Sequence, residues 1–535
     1  IQLKRGSKAG EMPAMLDIIP GGPINTDKLR DSLWQFITDY IECLPTGGRP
    51  HPALLDLIER RPPRIKKHKE GGPLVRGEDP HTADYLDLVK RMDDTCLFVQ
   101  GPPGTGKTYT ASHLILGLMQ AGKKIGVTAN SHKVIHNLLE KVEKYAEPMG
   151  CDFHGVKKTS RGDEATFFEG VHFENCGSAE DIGAHLDKLD LIAGTAWLFA
   201  DLPVGQLDYL FIDEAGQLSL SHFIAAGMAA RNVVLIGDQM QLAQPIQGVH
   251  PGESGQSVLD YLLQGRNTIP PEEGILLETT YRMHPKVCGF ISDAIYDSRL
   301  HSLPGLERQA LVFDGKPRTK AMRDVQDAPI AGSTDALGQD GGSACLNEAG
   351  IVCDFAEHED SVQRSDEEAE RVRQWYEWLL TLEYDDKDGK RWHMTPENIL
   401  VVSPYNMQVN NLKRVLGQVK LSGHATDERQ STGDRVAPDG RLIGDRARVG
   451  TVDKFQGQEA EVVIVSMATS NPEDVPRGID FLYSQNRLNV SLSRARILSI
   501  LVMSPKLLNV RCSTIEQMRL VNTLCWVREY ANQGS

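Results

Sequence analysis

The sequence predicts an α/β protein: two parallel-sheet domains in tandem, with a helical N-terminal segment and small insertions. First, short, apolar, β-rich segments alternate with amphipathic helical segments in two blocks that start near residues 96 and 399. Buried strands that alternate with helices form parallel sheets with helices on both faces. Second, 535 residues exceed a typical domain of about 150 residues several-fold. We expect a helical segment over 1–95, a first domain over 96–270 and a second domain over 271–535.

The N-terminal segment is predicted to be helical from its apolar periodicity. Between residues 28 and 43 apolar side chains recur every three or four positions, which predicts an amphipathic helix. A shorter helix is predicted over 52–60, and the basic, proline-rich stretch 61–69 follows it. We interpret this stretch as a linker, with a nucleic-acid patch as the alternative.

Each domain is predicted to contain several short strands. The first domain has candidates at 96–100, 125–129, 189–194, 209–212 and 233–237, and the second at 399–403, 449–452, 462–466 and 497–502. Ser131 is expected to cap a helix, and the sequence from Ser365 to Glu368 is predicted to be a capping box. An insertion is expected over about 146–188, and loops over about 317–350 and 419–447. The acidic run 354–370 is interpreted as a solvated face.

A glycine-rich loop between the first strand and the first helix of the first block matches the phosphate-binding loop in full. Its residues are Gly101, Pro102, Pro103, Gly104, Thr105, Gly106, Lys107 and Thr108, and Tyr109 follows them. Glycines let backbone N–H groups approach phosphates, and the helix N-terminus adds partial positive charge. Lys107 can reach the β- and γ-phosphates, and the Thr108 hydroxyl can bind Mg²⁺. The loop therefore predicts an ATP site that uses Mg²⁺.

Further polar residues that follow predicted strands indicate how the triphosphate would be cleaved. Asp213 would hold Mg²⁺, directly or through water, and Glu214 would orient or deprotonate the attacking water. Gln241 can hydrogen-bond the γ-phosphate and respond to its loss. Arg282 and Arg494 lie outside the first predicted sheet, so they predict a nucleotide site between two domains and an arginine-finger role.

The motifs and their order resemble the superfamily 1 helicases of the nonsense-decay-factor type. The resemblance rests on GPPGTGKT, DEAGQ, GDQMQL, TTYRMHP, VGTVDKFQGQEAEVVIVS and NVSLSRAR, and runs from about residue 96 to the C-terminus. It implies two RecA-like domains that ATP draws together and hydrolysis releases. It also implies that Tyr281 stacks on the base of ATP, and that Gly457 and Glu459 lie near the γ-phosphate and ribose. Arg282 and Arg494 would both face the γ-phosphate.

The same resemblance implies contacts with a single strand of nucleic acid. The corresponding residues here are Asn130, Ser131, His132, Thr195, Pro404, Tyr405 and Thr451. Such loops hold phosphates and sugars, which gives affinity without reading bases. The alternatives are that Ser131 only caps its helix and that Tyr405 only packs.

A closer resemblance is to the helicase half of bacterial fusions that carry an N-terminal RecB-like nuclease. It rests on phrases such as IERRPPR from Ile58, GVHPG from Gly248, EHED from Glu357 and TIEQMR from Thr514. It implies DNA rather than RNA as the partner, and a nuclease domain or subunit upstream. One departure is that residues 81–92 lack the glutamine with which the family reads adenine, so a strict preference for ATP stays open.

Composition narrows the remaining classes. The net charge of −15 says little about a local strand-binding channel, and no apolar run approaches the ~18 residues of a membrane span. Nine cysteines and no export signal favour a reducing cytoplasm. The start at Ile1 indicates a fragment of a longer protein. One set of cysteines and histidines has a spacing like that of zinc ligands; it comprises Cys151, His154, His172 and Cys176. Because the segment that holds them is polar and mixed, we expect no zinc there.

The function predicted from the sequence is an ATP-dependent helicase or translocase on single-stranded nucleic acid. DNA is favoured, and the resemblance implies movement from 5′ to 3′. Two alternatives stay open: an RNA helicase of the same architecture, and an ATP-gated nucleic-acid clamp in repair or phage defence that does not unwind processively.

Overall fold

The computed structural model describes residues 25–69, 71–77, 80–160, 162–242, 250–313, 348–417, 447–455, 457–471 and 478–533. Within these ranges the chain forms two parallel sheets, each packed between helices. This arrangement confirms the predicted fold class of two tandem RecA-like domains. The predicted loops over 317–350 and 419–447 lie almost entirely outside the described residues.

The first sheet has eight parallel strands among the described residues, in the spatial order β4-β3-β5-β2-β6-β7-β1-β8. They are β1 (Cys96–Gln100), β2 (Ile125–Thr128), β3 (Gly155–Lys158), β4 (Phe173–Cys176), β5 (Leu191–Ala193), β6 (Leu207–Ile212), β7 (Ala230–Gly237) and β8 (Gly274–Leu276). Successive side chains of a strand point to opposite faces. Phe98 of β1 accordingly joins one buried apolar cluster, whereas Leu97 and Val99 join another on the opposite face. Both faces are therefore apolar and need helical cover.

Nine helices of the described chain surround the first sheet. They are α1 (Asp27–Cys43), α2 (Pro52–Ile58), α3 (Thr82–Lys90), α4 (Lys107–Met119), α5 (His132–Ala146), α6 (Ala179–Ala184), α7 (Ala196–Phe199), α8 (Leu220–Gly227) and α9 (Val258–Leu263). Ser131 caps α5, because its hydroxyl accepts a hydrogen bond from the backbone N–H of Val134 at 3.3 Å. Apolar residues of α5, which recur at helical spacing, are buried.

The second sheet is also parallel, in the order β12-β18-β17-β15-β16. Its strands are β12 (Gly350–Phe355), β15 (Ile399–Ser403), β16 (Arg448–Thr451), β17 (Ala460–Ser466) and β18 (Ala495–Met503). The remaining short strands are β9 (Thr279–Thr280), β10 (His301–Ser302), β11 (Ala310–Val312), β13 (Glu383–Asp385) and β14 (Arg391–His393). The helices of this second half of the chain are α10 (Pro285–Ile295), α11 (Asp366–Leu379), α12 (Asn406–Leu416), α13 (Gly478–Leu482), α14 (Gln485–Leu492) and α15 (Ile515–Gln533). Leu400 and Val401 of β15 lie in separate apolar clusters, so this sheet too is buried on both faces.

The N-terminal helices pack closely on the first sheet and its helices. Leu54 of α2 packs closely against Gly227 of α8. A Cβ atom added at Gly227 would lie only 2.4 Å from Cδ2 of Leu54. The buried Asp56 carboxylate accepts hydrogen bonds from Thr95 at 2.8 Å and from Arg64 at 2.6 Å. The basic stretch 61–69 is thus partly tied down by ion pairs with the protein itself.

The structure corrects four details of the sequence interpretation. The region 146–188 contains β3 and β4, which belong to the first sheet, and β8 pairs with β1 although it lies beyond residue 270. The acidic run is not a solvated face throughout, because Asp354 is 2% exposed and Glu368 is fully buried. The capping box is only half formed: Ser365 caps α11, but Glu368 instead accepts hydrogen bonds from Ser466 and from the backbone N–H of Ala468.

Candidate nucleotide site between the two sheets

The phosphate-binding loop lies at the carboxyl edge of the first sheet, where β1 ends at Gln100. Gln100 is paired with Gly237 of β7 on one side and Leu276 of β8 on the other, so the segments that follow all three strands meet at this edge. The Lys107 ammonium donates to the carbonyl of Gly101 at 2.6 Å. Gly104 and Gly106 have φ of +77° and +80°, a left-handed conformation that glycine adopts without steric cost.

The acidic pair follows β6, two strands from the loop. The Asp213 carboxylate accepts a hydrogen bond from the backbone N–H of Glu214 at 2.9 Å, and Glu214 has φ of +51°. Burial raises the pKa of Asp213 to about 7, the negative charge of Glu214 adds to this effect, and Lys107 opposes it. A positive φ at a non-glycine residue is strained, and the strain re-aims the side chain that follows the strand.

The segment after β7 forms a buried hydrogen-bond network with the second half of the chain. Asp238 accepts hydrogen bonds from the Tyr296 hydroxyl at 2.6 Å and from the side-chain amide of Gln241 at 3.0 Å. Asn489 in turn donates to the Tyr296 oxygen at 2.8 Å and to the carbonyl of Met240 at 2.8 Å. Burial raises the pKa of Asp238, against the opposing effects of Lys107 and its hydrogen-bond donors.

The backbone and apolar side chains of the same segment are also held by the second half. The side-chain amide of Asn486 donates to the carbonyls of Gln239 and Gln241 at 2.8 and 2.6 Å. Met240 and Leu242, which flank Gln241, are buried in an apolar cluster together with residues of α10 and the second sheet. The segment after β7 therefore starts in one sheet and is anchored to the elements of the other.

The residues after β8 lie directly on the phosphate-binding loop. The Thr280 hydroxyl donates to the carbonyl of Pro103 at 3.0 Å, and the backbone N–H of Tyr281 donates to the carbonyl of Gly104 at 2.9 Å. A Cβ at Gly104 would lie 2.6 Å from that of Arg282, so only glycine allows this approach. The Tyr281 ring is 59% exposed beside the loop, which leaves it available for stacking.

Arginine and glutamate side chains form a charged cluster on the other side of the cleft. Arg282 donates to the carboxylate of Glu459 at 2.5 Å and to the carbonyl of Ser493 at 3.1 Å. Arg496 forms a second ion pair with Glu459. Burial by itself would raise the pKa of Glu459, but the charges and hydrogen bonds of Arg282 and Arg496 together lower it below its ordinary value. Gly457, two residues earlier, has φ of +78°.

Arg494 is the most deeply buried of these cations. It is 4% exposed and donates to the carbonyl of Gln458 at 2.8 Å, while its Nε is buried without a partner among the described residues. Burial, and to a lesser extent the charge of Arg282, together lower the pKa of Arg494 to about 9, against the opposing effect of Glu214. Within the described residues, Arg494 therefore keeps one buried N–H that is free to donate to a further acceptor.

The predicted strand-binding residues follow the carboxyl ends of four strands. Asn130, Ser131 and His132 follow β2, Thr195 follows β5, Pro404 and Tyr405 follow β15, and Thr451 ends β16. Tyr405 is 5% exposed and its ring lies 5.8 Å from that of Phe481. Its ring is therefore packed, and no face is open for stacking on a base. Pro404 and Thr451 are half-buried.

The donor atoms near the phosphate-binding loop fit a magnesium ion. The Thr108 hydroxyl and the Asp213 carboxylate are the hard oxygen ligands that Mg²⁺ takes, with phosphate oxygens and water completing the set. Neither Asp213 nor Glu214 has a direct ion pair with Lys107 within the described residues, so a cation beside the pair would favour its ionised form.

The residues with zinc-like spacing make separate contacts. The His172 ring pairs with Glu143 at 2.8 Å and stacks on Phe153, and His154 pairs with Glu174 at 3.3 Å. Over the described residues no group of three or more His, Cys, Asp or Glu side chains is arranged to hold a metal ion. Within the same part of the chain, no helix combines the length and apolar character needed to cross a bilayer.

Several residues of the cleft carry no signal that sequence reasoning detected. Asp238 and Asn489 stand inside quoted motifs but were given no role, and Tyr296 lies outside every motif. Their long-range partners are 58 to 249 positions away, so no local pattern could pair them. A buried aspartate directly after an apolar strand was the one available signal.

Comparison with known proteins agrees with this geometry. A family model described as an AAA domain matches residues 255–506, and another with the same description matches residues 86–254. The DNA replication ATP-dependent helicase/nuclease JHS1 of Arabidopsis thaliana is 24% identical over 77% of this chain and 27% of its own length. The DNA replication ATP-dependent helicase/nuclease DNA2 of Xenopus laevis is 25% identical over 83% of this chain and 39% of its own length. A regulator of nonsense transcripts 1 homolog of Arabidopsis thaliana is 25% identical over 90% and 37%.

The chain spans less than half the length of each of these three relatives. Among solved structures, an arterivirus nonstructural protein 10 (helicase) aligns over 77% of this chain and 60% of its own, with 13% identity and a TM-score of 0.36. A score this low adds nothing to the assignment.

Two parallel sheets with a phosphate-binding loop, an acidic pair and opposing arginines between them define a phosphate-loop nucleoside triphosphatase of the two-domain type. The sequence relatives and the two family matches narrow this class. The chain is similar to superfamily 1 helicases: its two halves match models described as AAA domains, and its relatives include DNA replication helicase/nucleases and a regulator of nonsense transcripts.

Proposed function

We propose that this chain hydrolyses ATP with Mg²⁺ and uses the cycle to move from 5′ to 3′ along single-stranded DNA. The single observation that carries the proposal is the network that joins Asp238 and Gln241 to Tyr296 and Asn489. It connects the segment after β7, beside the phosphate-binding loop, with helices of the second half through direct hydrogen bonds. A change of charge at the phosphates can therefore alter how the two halves pack.

The residues of the cleft divide the hydrolysis between them. Lys107 and the loop N–H groups would bind the β- and γ-phosphates, and Thr108 with Asp213 would hold Mg²⁺, which supplies charge neutralisation at the phosphates. Glu214 would orient the attacking water and accept its proton. Arg494, whose buried Nε has no acceptor among the described residues, would stabilise charge on the transferring phosphoryl group.

Binding of the base falls to few side chains. Tyr281 is exposed beside the loop and would stack on it. Residues 81–92 hold no glutamine, and Asp84 is engaged by the backbone N–H of His81 at 2.8 Å. We therefore propose ATP as the substrate through its triphosphate, with weak discrimination between purine bases.

DNA is proposed over RNA because the helicase/nuclease relatives carry DNA in their printed names. The regulator of nonsense transcripts relative makes RNA the competing outcome. The test is steady-state ATP hydrolysis without nucleic acid, with single-stranded DNA and with single-stranded RNA of equal length, and Lys107→Ala is the blank.

Stimulation by DNA alone supports the proposal, and stimulation by RNA alone replaces the substrate. Absence of stimulation by either would remove the motor function from this chain. Strand displacement on duplexes with a 5′ or a 3′ tail then separates a motor from an ATP-gated clamp, because a clamp hydrolyses ATP without displacing either strand. Glu214→Gln should bind ATP and lose hydrolysis, and unchanged hydrolysis would contradict the role of Glu214.

A further inference from the structure

A fully buried lysine lies beneath the first predicted strand-binding loop. Lys157 of β3 is 0% exposed. Its Nζ lies 2.9 Å from Nδ1 of His132 and donates to the carbonyls of Lys158 and Thr166 at 2.7 and 3.3 Å. No carboxylate pairs with it in the described part of the chain. Burying an ammonium group without a counter-charge is costly, so a role beyond packing is expected.

The position of Lys157 in the sheet places it between two strand-binding segments. It is paired with Ala193 at the end of β5, and Thr195 follows two residues later. Val127 of β2 is paired with the same Ala193, and His132 follows β2 as the first residue of α5. Lys157 thus reaches the loop of Asn130, Ser131 and His132 from β3, which is separated from β2 by β5.

The contact with Lys157 determines which nitrogen of His132 carries a proton. An ammonium group has donors only, so Nδ1 accepts and the single proton of the neutral ring sits on Nε2. Within the described residues Nε2 of His132 has no hydrogen-bond partner, and the ring is half-buried. Burial, and to a lesser extent the charge of Lys157, together lower the pKa of His132 to about 4. The ring is therefore neutral near pH 7.

We propose that Lys157 is a positioning residue of the strand-binding surface, which locks His132 in the Nε2–H form so that this N–H donates to a backbone phosphate oxygen of the bound strand. The inference rests on the proposed function, because it assumes that the loop of Asn130 to His132 contacts a strand. It adds a residue from β3, outside every motif, and a defined donor atom. The contact is made through a phosphate, so it does not distinguish DNA from RNA.

The test uses the full chain and measures equilibrium binding of a fluorescent single-stranded oligonucleotide of the type that stimulates hydrolysis. His132→Ala should weaken binding by about tenfold, the loss expected for one hydrogen bond to a charged group. Lys157→Met should weaken binding by a smaller factor, about twofold, because only part of the rings then carry the proton on Nε2. The double variant should bind no more weakly than His132→Ala, because Lys157 acts through the ring. Additive losses in this cycle would overturn the proposal.

A matched control and a rescue variant separate positioning from folding. Lys158→Met removes the neighbouring lysine, which donates to the carbonyls of Thr159 and Gly177, and it should leave strand binding unchanged. His132→Gln restores an N–H donor of similar reach, and its binding should be insensitive to Lys157→Met. Equal sensitivity of both forms to Lys157→Met would show that Lys157 only supports the fold.

Nitrogen-15 chemical shifts of the His132 ring give a readout that a purely structural role would not move. The wild-type ring should show a protonated Nε2 and an unprotonated Nδ1, and Lys157→Met should produce a mixture of the two neutral forms. If the oligonucleotide binds and Lys157→Met binds it as the wild type does, the inference fails and the proposed function stands. If the wild type binds neither DNA nor RNA, both fail.

Discussion

Asp213 is a carboxylate that the folded chain holds at an unfavourable place, and Asp213→Asn tests this directly. Burial raises its pKa from an ordinary 3.8 to about 7, so the folded protein binds the proton more tightly than the unfolded chain does. The contribution to stability is therefore complete below pH 4 and is lost as the pH rises towards 7. The whole difference corresponds to about 4 kcal/mol at 1.36 kcal/mol per pKa unit.

The measurement is urea unfolding at pH 6 and pH 8 without magnesium and nucleotide, since pH 6 lies above the isoelectric point of 5.6. Between pH 6 and pH 8 the free energy of unfolding of the wild type should fall by about 1–2 kcal/mol more than that of Asp213→Asn, because Asp213 loses most of its proton over this interval. Asparagine keeps the acceptor for the backbone N–H of Glu214. The exposed Asp187→Asn is the control and should follow the wild type.

Magnesium with a non-hydrolysable ATP analogue should then abolish the difference, because the bound cation favours the ionised carboxylate. An identical pH dependence in the wild type and Asp213→Asn would refute the reasoning from burial. A difference that persists with magnesium and nucleotide would instead show that Asp213 does not hold the ion.

Three further outcomes follow from contacts described above. Tyr296→Phe should lower the free energy of unfolding by about 1–3 kcal/mol, because the buried Asp238 carboxylate loses a donor, and it should reduce strand-stimulated more than unstimulated ATP hydrolysis; a proportional loss of both would argue against coupling. Leu54→Ala should destabilise the first domain by about 2–5 kcal/mol in urea unfolding, and a negligible effect would show that α2 is not part of its core. Dialysis against a strong zinc chelator should leave the melting temperature unchanged, and metal analysis should find less than one zinc per chain; stoichiometric zinc would assign it to the set that includes Cys151 and His172.

The parts of the site that are contiguous in sequence could be predicted, and the parts assembled by tertiary contacts could not. The phosphate-binding loop lies within eight residues between a strand and a helix, so its geometry follows from local pattern. An arginine-finger role for Arg282 and Arg494 was predicted from their place outside the first sheet, and the family resemblance added that both face the γ-phosphate. The bonds from Tyr296 and Asn489 to the segment after β7 depend on how two sheets are placed, which neither periodicity nor spacing reports.

The same limit explains the details of the fold that were missed. β12 is short and ends in the acidic run, where Asp354 accepts a hydrogen bond from the buried Trp375 ring nitrogen at 2.7 Å and pairs with Arg371 at 3.0 Å. Sequence composition does not distinguish a buried, paired aspartate from a solvated one. The acidic run was therefore interpreted as a solvated face. Lys157 was overlooked for the same reason, because the burial of a charge is set by its surroundings.

The burial of Met240 and Leu242 in the apolar cluster of the second half has a mechanical consequence. Gln241 stands between two buried neighbours, so its backbone cannot move without displacing the side chains of Met240 and Leu242 or the elements on which they pack. A displacement of this backbone would therefore be passed on to α10 and to the second sheet, which belong to the same apolar cluster. Because a packed core hardly compresses, little of the displacement would be lost within the cluster.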